Sequence, residues 1–410
     1  MITSDATVLG LLFVILALIF YTASLKNRFW QKFYAFVPPL LLCYFIPGLL
    51  NSFGVISGVD SQLYPVVSQY LLPACLVFFT LGMDFKAVLG LGPKALLVFL
   101  GGTLGVMLGG PLALAIVKSI SPDTVGGTGA DAVWRGLATI AGSWIGGGAN
   151  QTALKEVFQP SDRLFSQVVA VDVIVAEFWM AILIYGAGIA PHIDRFFKAD
   201  ARDIDHLHDQ LTREQQNSAH IPSLKDLIFL AAAGFGATGL SHFLANLIVP
   251  FIKVNYPHLE KFSLTSSFFW VVSLATFIGI GLSFTKLRRL EHAGASRMGS
   301  LFLYLLVATI GMKMDLLAVG DNPKLFLVGL IWMLVHVAAT LLVAKLVKAP
   351  FFFTAVGSQA NVGGAASASV VAAAFHPSLA SVGVLLSILG YALGTYCGYL
   401  TGLAMQWVAE

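Results

Sequence analysis

The stretch GSWIGGGANQT, Gly142 to Thr152, decides the fold of this chain. It lies within a long apolar run, yet its middle is glycine, which destabilises helices, and it ends in Asn150, Gln151 and Thr152, which lipid does not solvate. A second stretch, GSQANVGGAASAS from Gly357 to Ser369, has nearly the same composition. Two such stretches in matching positions predict that each interrupts a membrane helix.

The composition is that of a membrane protein. The 410 residues are 57% hydrophobic and 11% charged, whereas soluble proteins have roughly a quarter charged residues. No charged side chain lies between Asp226 and Lys253 or from Phe262 to Thr285, and each run exceeds the ~20 residues that cross a bilayer. We therefore expect an all-α polytopic protein of the cell's inner (plasma) membrane, with the lipid bilayer and no nucleic acid as partner.

Twelve apolar segments predict about 11–13 spans. They fall at about 7–24, 34–53, 63–83, 95–117, 136–158, 164–190, 225–252, 263–284, 299–317, 325–347, 351–375 and 379–408. The first run precedes Lys26 and Arg28, the reverse of a secretory signal, and predicts a span with its N-terminus outside. The one long polar stretch, 191–222, predicts a solvated linker between two halves, with a histidine metal site as the alternative.

The two halves repeat one another in sequence. TLGM at 80–83 corresponds to TIGM at 309–312, and the interval from Lys94 to Lys118 equals that from Lys324 to Lys348. Each half then has its glycine-rich stretch, closed by Phe-x-Pro-Ser at 158–161 and 375–378. Such internal duplication is typical of secondary transporters.

The orientation of the repeats depends on the number of crossings. Loops rich in Lys and Arg, such as 25–33 and 286–297, are expected in the cytoplasm. Placing both there makes the repeats inverted, which requires an odd number of crossings between Lys118 and Lys348, but the segments give six. Either the repeats are parallel or one segment does not cross. We retain inverted repeats and expect a break or hairpin in 225–252, whose middle reads GFGATG.

Each break in a spanning helix creates helix ends within the membrane, where N-terminal ends attract anions and C-terminal carbonyls attract cations. Two discontinuous helices, 136–158 and 351–375, crossing near the midplane would form a binding site. The alternative is close helix packing by small residues, which does not explain the carboxamides. Glycines predicted at the breaks are Gly142, Gly146, Gly147, Gly148, Gly363 and Gly364. Predicted polar ligands are Ser143, Asn150, Gln151, Thr152, Ser358, Gln359, Asn361, Ser367 and Ser369.

Ionisable residues within spans are functional candidates by default. Asp172 is the predicted Na⁺ ligand or proton carrier, with a structural carboxylate as the alternative, and Glu177 lies about 140° further around the helix. The matching helix of the second repeat offers Tyr391, Thr395 and Tyr396 instead.

Other polar residues near these helices have structural interpretations. His336 is interpreted as a hydrogen-bonded structural histidine. Lys155 and Glu156 are interpreted as the water-exposed end of the first broken helix.

The motifs GSWIGGGANQTA, SQANVGGAASA and LGYALGTYCG, in this order, resemble the membrane family "domain of unknown function 819" over nearly the whole chain. That family is grouped with the cation:proton antiporter / anion transporter superfamily, akin to sodium–glutamate and bile-acid sodium symporters. The resemblance implies two crossed discontinuous helices in a mobile core that slides, elevator-like, against a scaffold, often within a homodimer.

By that resemblance, the core comprises 93–190 and 323–410, and the scaffold comprises 1–92 and 223–322. Ser143, Asn150, Gln359 and Asn361 become candidate ion or substrate ligands. Electroneutral antiporters of the superfamily have adjacent acids after the first break, whereas this chain has the single Asp172. The resemblance therefore favours symport of an organic solute.

The sequence thus predicts a cation-coupled, sodium-dependent secondary transporter of a small organic anion, amino acid or short peptide. Na⁺ or H⁺ is the coupling ion, and no cofactor is expected. The alternative is a cation/proton antiporter without an organic substrate. A receptor or scaffold is disfavoured because no soluble signalling domain is attached, and an enzyme because no nucleophile-and-base pair, HExxH motif or phosphate loop is present.

Overall fold

The computed structural model describes residues 2–37, 39–58, 60–199, 222–314, 320–376 and 379–410. This part of the chain is helical and contains no strand, only an isolated bridge between Ile2 and Ile56. Most of the predicted linker, 200–221, lies outside the described residues, as do positions 377 and 378 of the second Phe-x-Pro-Ser motif.

The helices follow the predicted segments closely. The first half has α1 (Asp5–Ser24), α2 (Arg28–Phe36), α3 (Pro39–Ser52), α4 (Leu63–Leu81, with a π-helical turn at Val67–Leu71), α5 (Phe85–Gly90), α6 (Pro93–Ile120), α7 (Val133–Phe158), α8 (Asp162–Gly188) and α9 (Ala190–Phe197). The second half has α10 (Leu224–Asn255), α11 (Ser267–Ser283), α12 (Ala295–Gly311), α13 (Leu325–Leu346), α14 (Phe351–Val362), α15 (Gly364–Phe375) and α16 (Ala380–Ala409). Short helical turns lie at Pro122–Val125, Gly129–Asp131, Pro257–Phe262 and Lys286–Glu291.

Seven described helices are long and apolar enough to cross a membrane, or up to eight if the bent pair Arg28–Tyr34 and Pro39–Ser52 is one span. The seven are α1, α4, α6, α8, α10, α13 and α16. Helices α11, α12 and α15 are apolar but shorter. The chain is therefore a multi-pass membrane protein.

Helix α7 is a hairpin that returns to the side from which it starts. The backbone leaves the helical region at Gly146 and Gly147, and the two arms then run side by side. The Arg135 guanidinium donates to the Phe158 carbonyl at 2.6 Å, although 23 residues of continuous helix would separate these positions by about 35 Å. The Ser161 hydroxyl likewise donates to Asp131 at 2.5 Å. We call α7 hairpin 1.

Helices α14 and α15 form a second hairpin, hairpin 2. The chain turns at Gly363 and Gly364, and α14 and α15 pack on one another along their length. At the open end, the ring of Phe375 lies 5.3 Å from that of Phe352 and 6.1 Å from that of Phe351. The prediction that 136–158 and 351–375 are interrupted helices that each span the membrane is therefore wrong. In each segment the chain reverses direction at its glycines.

The segment predicted to contain a break does not contain one. Helix α10 is continuous over 32 residues, and Gly236 and Gly239 of its GFGATG sequence lie on an open helix face. Glycine lowers helix propensity by only about 1 kcal/mol, so packed neighbours on the remaining faces maintain the helix. Of the segments between Lys118 and Lys348, the one that does not cross the membrane is 136–158.

Packing divides the helices into two groups. Helices α1, α3, α4, α10, α11 and α12 pack chiefly on one another, and we call them the framework group. The hairpin group comprises α6, α7, α8, α13, α14, α15 and α16. The predicted scaffold and core ranges contain these two sets of helices, and the division into a fixed and a mobile part stays a prediction.

The hairpin geometry predicts a disulfide between Asp131→Cys and Ser161→Cys, because these side chains are in contact across the open end of hairpin 1. Mild oxidation of the double variant in membranes is expected to give a cross-link that each single variant lacks. A membrane-impermeant maleimide is expected to label both positions from the same face. Labelling from opposite faces would show that α7 crosses the membrane.

Candidate functional site

The tips of the two hairpins meet inside the hairpin group. Gly147 and Gly364 both have left-handed backbone, with φ of +75° and +70°. A Cβ atom placed on Gly147 would lie 3.9 Å from the Cα atom of Gly364, and the reverse distance is 4.0 Å. Glycine is the residue that adopts this conformation without strain. The two glycines therefore permit both the turns and the contact between them.

Helix α16 supports the tips through its own glycines. A Cβ atom on Gly146 would lie only 2.4 Å from the Gly390 carbonyl and 2.9 Å from the Cα atom of Gly394. On the same helix, the Tyr391 hydroxyl accepts a hydrogen bond from the Ala365 amide at 3.2 Å. This bond satisfies one of the free amides at the start of α15. The LGYALG sequence thus serves both as a contact surface and as a helix cap.

Two buried asparagines fasten the hairpins to helices of the opposite repeat. In hairpin 1, the Asn150 amide donates to the Gly146 carbonyl at 2.7 Å and accepts from the Thr395 hydroxyl of α16 at 2.5 Å. In hairpin 2, the Asn361 amide donates to the Phe99 carbonyl of α6 at 2.9 Å and accepts from Thr103 at 2.8 Å. Both side-chain amides are therefore bonded to groups of the protein itself and do not line an open pocket.

Asp172 of α8 bridges the two arms of hairpin 1. Its carboxylate accepts from the Trp144 indole at 2.5 Å and from the Gln151 amide at 2.7 Å, and the Ser143 hydroxyl lies beside it. Trp144 precedes the turn and Gln151 follows it, so one carboxylate fixes the spacing of both arms. Glu177 is only half-buried and is not part of this set.

Ser358 of hairpin 2 belongs to a separate buried chain of hydrogen bonds. His336 Nδ1 bonds to the Gly102 carbonyl at 2.9 Å, and its Nε2 bonds to the Ser358 hydroxyl at 2.7 Å. The Trp179 indole also donates to Ser358 at 2.8 Å. Because a carbonyl only accepts, Nδ1 has the proton and Nε2 accepts from the hydroxyl. His336 is thus a hydrogen-bonded residue that ties α13 to α6 and α14.

Gln359 differs from the other amides. Its side-chain oxygen is buried without a hydrogen-bond partner in the described part of the chain. Its Nε2 atom lies 2.4 Å from the position of a Cβ atom on Gly363, at the tip of hairpin 2. A buried acceptor without a donor costs about 1–3 kcal/mol. Gln359 is therefore the tip residue whose polar group the fold leaves available.

The remaining predicted residues lie at the tips but make local bonds. Thr152 donates to the Gly148 carbonyl at 2.9 Å, and Ser369 to the Ala365 carbonyl at 2.7 Å. Ser367 is half-buried and donates weakly to the Gly364 carbonyl, at 3.4 Å. The predicted residues thus form four networks, around Asp172, Asn150, Asn361 and Ser358, and not one.

Three predictions differ from the structure. Gly142 and Gly148 have helical backbone, so the break is confined to Gly146 and Gly147 in hairpin 1. Gly142 serves instead for contact between helices, since a Cβ atom there would lie 2.7 Å from the Asn150 carbonyl oxygen. Lys155 is 6% exposed and not at a water-exposed edge, because it packs between rings and pairs with Asp162.

Sequence reasoning missed Trp144, Thr103 and Trp179 as partners of the site. Trp144 lies within the quoted motif, and an indole donor six and seven residues before two carboxamides is a usable signal. Thr103 and Trp179 lie on neighbouring helices, where only the fold places them against Asn361 and Ser358.

Gly147→Ala is expected to destabilise the protein by about 1–3 kcal/mol, because alanine is strained at φ +75°. Gly148→Ala is the matched control, since its backbone is helical and its nearest neighbour, Leu303, is 3.8 Å away. Alanine there should be neutral or stabilising. Thermal unfolding in detergent measures both variants, and equal effects would contradict the turn geometry.

Asp172→Asn is expected to destabilise the protein by about 3 kcal/mol. The amide cannot accept from both Trp144 and Gln151 with the strength of a carboxylate, and its own N–H₂ group faces one of these donors. Glu177→Gln, on the same helix, should change stability by less than about 1 kcal/mol. Chemical or thermal unfolding would test this, and indistinguishable variants would argue against the bridge.

Comparison with known proteins agrees with the all-helical membrane fold. A family model described as "Protein of unknown function (DUF819)" matches residues 10–408. The chain is also similar to "Uncharacterized membrane protein YjcL" of Bacillus subtilis (strain 168), with 25% identity over 358 residues that cover 84% of each protein. Kinship with the larger transporter superfamily stays a prediction. Because the family match extends from the first helix into the last, this chain belongs to the DUF819 family.

Proposed function

We propose that this protein is a cation-coupled secondary active transporter that moves a small organic solute across the plasma membrane by alternating access. The main support is the contact between two glycine-tipped hairpins within the hairpin group. Non-helical backbone at membrane depth is tolerated where it is buried in protein or lines a wet cavity. Paired half-helices of this kind are a recurrent way to build a substrate and ion site.

The tips supply poles of both signs for such a ligand. The second arms begin at Gly148 and Gly364, where amide groups attract an anion such as a carboxylate. The first arms end in carbonyls, which attract a cation. The unpartnered oxygen of Gln359 is available to a cation or to an N–H donor of the substrate. This combination favours an organic anion, amino acid or short peptide, with Na⁺ as the coupling ion.

An inverted arrangement of the repeats fits the hairpins. With hairpin 1 returning to its own face, the crossings between Lys118 and Lys348 are α8, α10, α11, α12 and α13, an odd number. The loops 25–33 and 286–297 then share the cytoplasmic face, as their Lys and Arg content requires. Hairpin 1 enters from the outer face and hairpin 2 from the inner face. We propose ten crossings and two hairpins, with α3, α11 and α12 among the crossings.

In this proposal the hairpin group is the mobile core, and the framework group is the scaffold and the contact surface of a homodimer. Asp172 remains a sodium candidate, together with Ser143, because each carboxylate oxygen has a second lone pair beside its hydrogen bond. Cation/proton antiport at Asp172 is the alternative. It has less support, because Trp144 and Gln151 already hold this carboxylate.

Thermal unfolding of the detergent-purified protein tests the proposal. We expect NaCl to raise the unfolding temperature relative to equimolar choline chloride, and one pool among amino acids, dicarboxylates and dipeptides to raise it further. A ligand at 100 times its Kd stabilises by about 2.7 kcal/mol. Symport requires reciprocal coupling, so Na⁺ should also tighten binding of that pool.

Variants separate the candidate ligands in the same assay. Gln359→Met should abolish the response to the pool while leaving the protein as stable as the wild type or more so, since a buried unpaired acceptor is removed. Glu177→Gln should respond like the wild type, and Asp172→Asn should lose the Na⁺ response. A response to Na⁺ and to acid without any pool would favour antiport. No response to any cation or pool would count against the proposal.

A further inference from the structure

A buried charged cluster joins the two helix groups at one end of the molecule. The ring of Tyr64, at the start of α4, lies near two lysines, with Lys155 Nζ 4.5 Å and Lys313 Nζ 5.0 Å from its centroid. Asp162 pairs with both, at 2.9 Å and 3.6 Å. The Tyr64 hydroxyl donates to Glu156. We call these five residues the outer cluster.

The outer cluster is a charged contact between the two groups, which also meet through aromatic contacts such as that of Phe79 with Tyr391. Tyr64 and Lys313 belong to the framework group, at the start of α4 and just after α12. Lys155 and Glu156 end hairpin 1, and Asp162 begins α8, in the hairpin group. In the proposed topology all five lie at the outer face. Other ion pairs at this face, such as Arg163 with Asp321 next to α13, stay within the hairpin group.

Burial decides which contacts in the cluster are strong. Lys155 and Tyr64 are 6% and 7% exposed, and Lys155 also lies 4.9 Å from the Phe165 ring. A cation over an aromatic ring gains most when both are desolvated. Lys313 and Asp162 are 28% and 41% exposed, so their direct ion pair is screened and weak. The central interaction is therefore the contact of the buried Lys155 ammonium with the Tyr64 ring.

We propose that the outer cluster is a latch that holds the hairpin group against the framework group and closes the outer side of the protein. This inference rests on the proposed function, in which the hairpin group moves. The hairpin group contributes Lys155, Glu156 and Asp162 and the framework group contributes Lys313, so separating the groups leaves one negative and one positive charge without its partner. Opening to the outside therefore requires that Tyr64 separate from Lys155 and Glu156, and Lys313 from Asp162.

Access to Leu303→Cys tests the latch without knowledge of the substrate. Leu303 lies on α12, beside Gly148 at the tip of hairpin 1. In intact cells, Tyr64→Leu and Lys313→Gln are each expected to raise the rate of labelling by a membrane-impermeant methanethiosulfonate about tenfold, because each removes a contact of a cation with the aromatic ring. Tyr64→Phe retains the ring and removes the bond to Glu156, so its effect should be lost when combined with Glu156→Gln.

Lys118→Gln is the matched control, because Lys118 lies at the same face but donates to the Val408 and Ala409 carbonyls within the hairpin group. It should leave the labelling rate of Leu303→Cys unchanged. The parent chain, which lacks Leu303→Cys, should not be labelled. Equal labelling in the latch variants and the control, with unchanged unfolding temperatures, would overturn the latch. Labelling of Leu303→Cys from the cytoplasmic side, in inverted vesicles, would then show that the proposed alternating access still holds without the latch. No labelling from either side would count against both proposals.

Discussion

The structure depends on one constraint, which is that the backbone groups freed at two helix turns must be satisfied away from water. Hydrocarbon offers no partner for an amide or a carbonyl. The four helix ends at the tips are therefore closed by side chains and by close packing of glycines. The Asn150 amide donates to the Gly146 carbonyl, and the Tyr391 hydroxyl accepts from the Ala365 amide. Helix α16 packs closely on the tips through Gly390 and Gly394. Without these partners the turns would not be stable at this depth.

Satisfying the tips also locks the two repeats together. Asn150 of the first repeat is held by α16 of the second, and Asn361 of the second is held by α6 of the first. The acid of this site, Asp172, acts within the first repeat, where it spans the arms of hairpin 1. The second repeat uses the neutral pair of His336 and Ser358 instead. The two repeats therefore differ chemically in the side chains that fix each hairpin to its supporting helices.

The sequence predicts the positions of the turns but not the path of the chain through them. The glycines at 146–147 and 363–364 are visible in the sequence, and the left-handed backbone at Gly147 and Gly364 requires glycine there. Whether a 26-residue segment crosses or returns depends on contacts such as that between Arg135 and Phe158, which no local pattern encodes. The odd number of crossings that inversion needs indicates that one segment does not cross the membrane, but the glycines of GFGATG point to 225–252 and not to 136–158. The burial of Lys155 was missed for the same reason, because Tyr64 and Phe165 come to it only in the fold.

The tip contact limits how a ligand could be accommodated. Gly147 and Gly364 lie so close that a methyl group on either would already contact the other, so no solute fits between the tips. A solute must therefore occupy space beside the tips or separate them. Hairpin 1 is buried along nearly its whole length, whereas α15 buries only Gly364, Ala368, Val371 and Ala372. Displacing α15 exposes much less apolar surface than displacing α7, and burial stabilises by roughly 25 cal/mol per Å². We therefore expect α15, which lies beside Gln359 and its unpartnered oxygen, to be the arm that moves when a solute binds.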